Sequence, residues 1–158
     1  MLKIIFLFAS ILVASGLLMT NMYNSIVDAK AWGYNIPASI QTTREYFKAV
    51  NPGNFFRIFS PLNQVLSLLV LILFWKSSSA IRLYLGLAFI FYVTADILTF
   101  AYFYPRNDIL FKGAQLADVE LLRTTSKQWV QMNWVRSSIV LIGVFFSFLA
   151  LHKIYTRR

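Results

Sequence analysis

The chain contains no cysteine and only one histidine, His152. Disulfides, thiolate metal centres and cysteine nucleophiles are therefore excluded. A bis-histidine haem site and a His-rich metal site are excluded too, and no Ser–His–Asp set can be assembled away from the end where His152 lies. Proline and glycine are sparse, at four and six residues, so long stretches run without a helix breaker and no Gly-rich phosphate loop is present. Acidic residues number six against fifteen lysines and arginines, a net charge of +9. In a soluble protein that imbalance would point to nucleic acid. Here the basic residues are scattered at the ends of apolar runs, with no stripe for a phosphate backbone to follow. Anchoring to membrane lipid is the reading that fits, and no nucleic-acid partner is expected.

What is abundant is apolar. Fully 58% of the residues are hydrophobic and 13% are charged, against about 45–50% and 25% in ordinary soluble domains. A core built from 158 residues cannot hide that excess, because a chain of this length leaves roughly a third of its surface exposed. The chain is expected to form a single domain, 1–158, and to be an all-α integral membrane protein. A spanning helix takes about 20 apolar residues. Four runs qualify: 4–22, 56–75 (entered through Ser60–Pro61), 83–103 (stopped at Tyr104–Pro105) and 130–151. The first run, with Lys3 before it and Val13-Ala14-Ser15 within it, also resembles a signal peptide. Its continuation through Gly16-Leu17-Leu18-Met19 favours a retained span.

Lys3, Lys76, Arg82, Lys153, Arg157 and Arg158 gather at one side with no acidic residue among them. The positive-inside rule then assigns both termini and the tight Lys76–Arg82 turn to the cytoplasm, in a membrane such as the bacterial inner (plasma) membrane. The expected architecture is a four-helix up-down-up-down bundle with amphipathic helices in the two outer connections. The first of these is capped by Asn35, opens at Pro37, runs to about Val50 and ends at Asn51-Pro52-Gly53. Ile40, Phe47 and Val50 form its apolar face, opposite Arg44, Glu45 and Lys48. The second carries Leu116, Val119 and Leu122.

Polar residues fall at one depth. At ~1.5 Å per helical residue, Asp96 lies roughly 21 Å from Arg82, Asn63 and Gln64 roughly 18–20 Å from Lys76, Arg136 roughly 25 Å from Lys153, and Thr20 and Asn21 roughly 25–27 Å from Lys3. They also share faces: Ser60, Asn63, Gln64 and Ser67 on the second span, Tyr92, Asp96 and Thr99 on the third, and Trp129, Asn133, Arg136 and Ser137 on the fourth. Stripes of this kind turn into a bundle. A charge inside a span costs about 2.5–3.5 kcal/mol on the insertion scale, so Asp96 is expected to pair with Arg136, with Arg57 as a competing partner. Asn63, Gln64 and Asn133 would satisfy the remaining donors and acceptors. Structural glue and a ligand-binding or reaction site both fit this cluster. A channel fits less well, since no polar path continues through the cytoplasmic half.

The segment Tyr104-Pro105-Arg106-Asn107-Asp108, followed by Trp129-Val130-Gln131-Met132-Asn133-Trp134-Val135-Arg136, resembles the anthrone-oxygenase-like family of small four-helix membrane proteins. Matching positions are Pro105, Asn107, Trp129, Asn133 and Arg136, and Pro61 at the second span agrees with the family layout. The resemblance implies oxidation of anthrones to anthraquinones with no cofactor, neither metal nor flavin. It would make Asp96 the catalytic base and Arg136 the oxyanion partner. Asn63, Gln64, Tyr92, Asn107, Trp129, Asn133 and Trp134 would bind the ligand, a lipophilic aromatic or quinone-like small molecule. The alternative is a non-catalytic membrane protein that binds a lipid, small molecule or partner protein through the same pocket.

Overall fold

The computed structural model describes residues 1–113 and 118–156; Leu116, Arg157 and Arg158 lie outside them. The described residues form five helices and no strand: α1 (Leu2–Gly33), α2 (Ala38–Tyr46), α3 (Pro52–Leu73), α4 (Ser79–Lys112) and α5 (Val119–Tyr155). All but α2 are long and apolar enough to cross a membrane, and they fit an integral membrane protein. Phe8, Leu12, Val65, Ile72, Ile90, Ile97, Leu141 and Phe145 are exposed along them, as side chains that face lipid must be.

α1 packs against α3 and α5, and α4 packs against the same two helices, with α4–α5 the most extensive contact. Successive spans run in opposite directions, so one end of the bundle carries the chain termini and the Lys76–Arg82 turn. The other is capped by α2. The core is stacked in three tiers. Leu7, Val70, Phe74 and Leu85 pack near the terminal end, and Ala14, Leu18, Tyr92 and Val140 in the middle. Trp32, Ile40, Phe103, Leu122 and Trp129 pack at the capped end. Gly143 makes the α4–α5 contact close: a Cβ there would stand 2.6 Å from Cε1 of Tyr92.

The helices outrun the expected spans. α1, α4 and α5, of 32, 34 and 37 residues, measure about 48, 51 and 55 Å at ~1.5 Å per residue, against a hydrocarbon layer of about 30 Å. α3 has 22 residues and does not reach as far. The three longer helices therefore exceed the hydrocarbon thickness and, with α2, build a small head around its own apolar tier.

Two π-helical turns allow this. Met22 does not end α1, because Asn24–Asp28 winds as a π turn and the helix continues to Gly33. Pro105 does not stop α4, because Thr99–Phe103 immediately before it is also a π turn, with the Tyr104 N–H donating to the Thr99 carbonyl. Proline lacks a donor and crowds the preceding turn of an α-helix, and the wider winding supplies the room. A third π turn, Asp108–Lys112, closes α4.

The second outer connection holds no separate amphipathic helix among the described residues. Val119 and Leu122 belong to the start of α5, where the Asp118 carboxylate accepts a hydrogen bond from Leu121 N at 2.9 Å. No proline or glycine lies between them and Val130, so nothing interrupts the helix. α2 is shorter than expected and has no Asn35 cap. Instead Ser39 Oγ accepts from Asn35 N and donates to the Trp32 carbonyl. Ile40 is fully buried, but Val50 is exposed beyond the helix. Asn51-Pro52-Gly53 opens α3 rather than closing α2: Asn51 Oδ1 accepts from Gly53 N at 2.9 Å and Asn54 Oδ1 accepts from Asn51 N at 3.3 Å. This is a reciprocal cap with proline at the first turn. Pro61 lies inside α3.

Candidate functional site

Between the middle tier and the head, all four long helices turn polar groups toward a cavity at the bundle centre. α1 contributes Asn21, α3 contributes Ser60 and Asn63, α4 contributes Asp96 and Thr99, and α5 contributes Arg136. Leu17, Phe56, Tyr92, Ala95 and Val140 complete its wall. The room inside is about 20 Å³ for water-sized molecules, where one water takes roughly 10–15 Å³.

Asp96 and Arg136 line this cavity but form no ion pair, contrary to the sequence expectation, and Asp96 does not pair with Arg57 either. Among the described residues the one ion pair is Lys112–Asp108, at 2.8 Å and solvent-exposed. The reason lies in where each side chain is held. Gln64 Nε2 donates to Asp96 Oδ2 at 2.9 Å, and Ser60 borders the same cavity from α3. Arg136 is drawn toward the capped end instead. Its Nη1 donates to Thr99 Oγ1 at 3.2 Å and its Nη2 to Asn133 Oδ1. Its guanidinium lies 4.1 Å from the centroid of Phe103, 5.5 Å from Phe56 and 6.0 Å from Trp129. A desolvated cation over aromatic faces gains about 2 kcal/mol or more, which offsets part of the cost of burying it. Arg136 is 5% exposed, and it attracts Asp96 across the cavity without touching it.

Asn133 organises this arrangement and is wholly buried. Besides accepting from Arg136, its Nδ2 donates to the Asn21 carbonyl at 2.8 Å and to Ser25 Oγ at 2.6 Å. Both acceptors lie where the π turn of α1 begins. Four buried atoms around the cavity make no hydrogen bond within the described protein: Asn21 Oδ1, Asn63 Oδ1, Gln64 Oε1 and Arg136 Nε. Such atoms are rare in protein interiors and call for a partner.

The other sequence candidates divide into three groups. Tyr92 walls the cavity with its ring, while its hydroxyl is engaged with Ser147 Oγ at 3.0 Å. Asn107 and Trp129 meet each other in the head, Trp129 Nε1 donating to Asn107 Oδ1 at 2.8 Å. Trp129 also packs edge-on against Trp32 and Phe103. Trp134 is 43% exposed and is not brought to the cavity; one residue beyond Asn133, it points about 100° away around the helix.

Sequence reasoning missed Asn24 and Ser25, both buried, because the first span was ended before them. Continued at helical spacing, Asn21, Ser25 and Asp28 read as one polar stripe, and that signal was available. The packing of Phe56 and Phe103 against the Arg136 guanidinium was not singled out, since phenylalanine in a span is ordinarily read as lipid-facing. Chemically the site offers a carboxylate, a guanidinium held apart from it, several amides and an aromatic wall. That set can accept a proton and stabilise an anion.

No curated protein and no solved structure matches the chain. A family model described as anthrone oxygenase matches residues 53–146, from the first turn of α3 through most of α5. It includes Asp96, Asn107, Trp129, Asn133 and Arg136 and leaves α1 outside. The match extends over more than half of the chain, which therefore belongs to the anthrone oxygenase family.

Proposed function

We propose that the protein is a membrane oxygenase that converts an acidic methylene of a lipophilic aromatic or quinone-like molecule to a carbonyl, without a cofactor. Asp96 takes a proton from the methylene carbon, leaving an enolate whose oxygen is held by Arg136. The enolate carbon adds dioxygen to give, after protonation, a hydroperoxide. Loss of water from the hydroperoxide gives the carbonyl, so that the net change is CH₂ + O₂ to C=O + H₂O. Both termini are assigned to the cytoplasmic side of a bacterial inner membrane on the strength of the basic residues around Lys76–Arg82.

The observation that supports this most is the separation of the two charges. A base locked into an ion pair would be a poor proton acceptor, and an arginine locked into one would have nothing left for an oxyanion. Here Asp96 and Arg136 border one cavity unpaired, and Arg136 Nε has no protein acceptor among the described residues. A tricyclic substrate needs more room than the 20 Å³ present. Phe56 is the half-buried aromatic of the wall and sits on α3, the least buried of the four spans, so moving it aside would open the cavity to one.

The test is oxygen uptake and quinone absorbance with an anthrone, using protein in nanodiscs. Asp96→Asn should lose at least a hundredfold in rate, as for removal of a general base, while retaining substrate binding. Undiminished turnover by Asp96→Asn would sink the proposal. One observation, the water-sized cavity, favours the second reading, a non-catalytic binder. Binding of the aromatic by wild type with no oxygen uptake would support it.

A further inference from the structure

A second concavity lies on the head, away from the central cavity. It has about 330 Å³ of room and is formed where the end of α1 and the turn after it, Gly33 to Ile36, face one side of α5. From α5 come Arg123, Ser126 and Lys127. No carboxylate lines it.

Three observations point to an anion. Arg123 and Lys127 stand one helical turn apart on the same face, both exposed, and neither has an acidic partner among the described residues. Like charges at this spacing repel unless something lies between them. Between them in sequence is Ser126, a residue only 5% exposed, which lines the pocket and whose hydroxyl has no hydrogen bond to any described residue. Gly33 brings the floor close: a Cβ added there would stand 3.4 Å from Ser126 Oγ.

Depth then names the source of the anion. Lys127 and Lys153 are 26 positions apart on α5, about 39 Å at ~1.5 Å per residue. A bilayer measures about 40–45 Å including its headgroups. If Lys153 marks one headgroup layer, Lys127 marks the other, and Arg123 lies one turn further out. We infer that this pocket binds a phosphate group, that of an anionic phospholipid at the bilayer surface, with Arg123 and Lys127 as the charged partners and Ser126 Oγ as a donor. The site is separate from the proposed reaction and does not depend on it.

The experiment is native mass spectrometry of the full chain in neutral detergent, titrated with short-chain phosphatidylglycerol or phosphatidylcholine. Wild type should saturate with one phosphatidylglycerol, held at least tenfold more tightly than phosphatidylcholine. Arg123→Gln/Lys127→Gln should abolish that preference. Ser126→Ala, which leaves the charge unchanged, should weaken binding severalfold. Lys30→Gln/Lys48→Gln removes two exposed charges of the head that do not line the pocket and should change affinity less than twofold. Millimolar inorganic phosphate is the second arm. Displacement of the lipid would mark free phosphate as able to fill the pocket, and no displacement would mark the intact headgroup as the ligand. Binding retained by the Arg123/Lys127 variant, equal loss in the Lys30/Lys48 control, or the absence of a saturable adduct would each overturn the proposal.

Discussion

A single added methyl group should have opposite effects at different helical glycines. In a helix, Gly→Ala ordinarily stabilises by about 0.8–1.0 kcal/mol. Gly16 and Gly86 have no atom within 4 Å of an added Cβ, so alanine there should deliver up to that gain. At Gly143 the added Cβ would lie 2.6 and 2.9 Å from two ring carbons of Tyr92 and 3.3 Å from Cβ of Phe91. The ring has little freedom to retreat, since Tyr92 is 2% exposed and its hydroxyl is tied to Ser147. Overpacking of this kind costs about 1–3 kcal/mol. Against the helix gain, Gly143→Ala should therefore range from neutral to about 2 kcal/mol destabilising, and should rank roughly 1–3 kcal/mol below Gly86→Ala. The assay is reversible unfolding in mixed micelles followed by tryptophan fluorescence. The decisive comparison repeats Gly143→Ala in a Tyr92→Ala background. There the clash with the ring is gone, and the substitution should become stabilising. If Gly143→Ala is as favourable as Gly86→Ala in the wild-type background, or is equally harmful with Tyr92 removed, then α4 and α5 do not meet as described.

The head offers two further tests. Arg44 spans from α2 to the end of α4, donating to the Leu110, Gly113 and Ile109 carbonyls at 2.8, 2.7 and 3.2 Å. Arg44→Ala should cost about 2–3 kcal/mol locally, near the value of hydrogen bonds to charged groups after allowance for its partial exposure; it should appear as faster proteolysis between residues 34 and 50. Arg44→Lys should recover only part, because an ammonium cannot reproduce the fork, and unchanged proteolysis in Arg44→Ala would refute the latch. Trp129→Phe and Asn107→Ala each break the same hydrogen bond, and each should cost about 0.5–1.5 kcal/mol from that loss. Their combined effect on thermal unfolding should fall short of the sum of the singles, and strict additivity would show that the two side chains do not interact.

The spans and the inward turning of Asn63, Asp96, Asn133 and Arg136 were legible because lipid imposes a simple rule: polar groups in a helix that crosses it must find one another. Depth along the helix was legible for the same reason, since the rise per residue is fixed. Partner choice was not. Asp96 and Arg136 share a depth to within a turn, but the direction in which a long arginine leans depends on Thr99, Asn133 and the Phe103 ring, which converge from two helices. The extent of α1 was misjudged because its apolar run gives out after Met22, and that of α4 because Pro105 was read by α-helical rules, whereas both helices continue by locally changing their winding. Arg44 was read as a solvent-facing charge of an amphipathic helix. Its carbonyl partners are more than sixty residues away in the chain, beyond the reach of local periodicity.

A π turn is, in effect, an α-helical turn carrying one additional residue. Deleting Ala101 would let Thr99–Phe103 relax to ordinary winding, and what lies beyond would keep roughly its orientation relative to Asp96, because the wide turn is what absorbs the additional residue. Pro105, however, would meet the crowded turn that it now avoids. Substituting Ala101, an exposed residue, would change none of this. The constraint on that stretch of α4 couples count to winding: a relative that keeps this cavity and this head in register with one residue fewer between the positions of Asp96 and Asn107 should have an ordinary turn there and no proline at the position of Pro105.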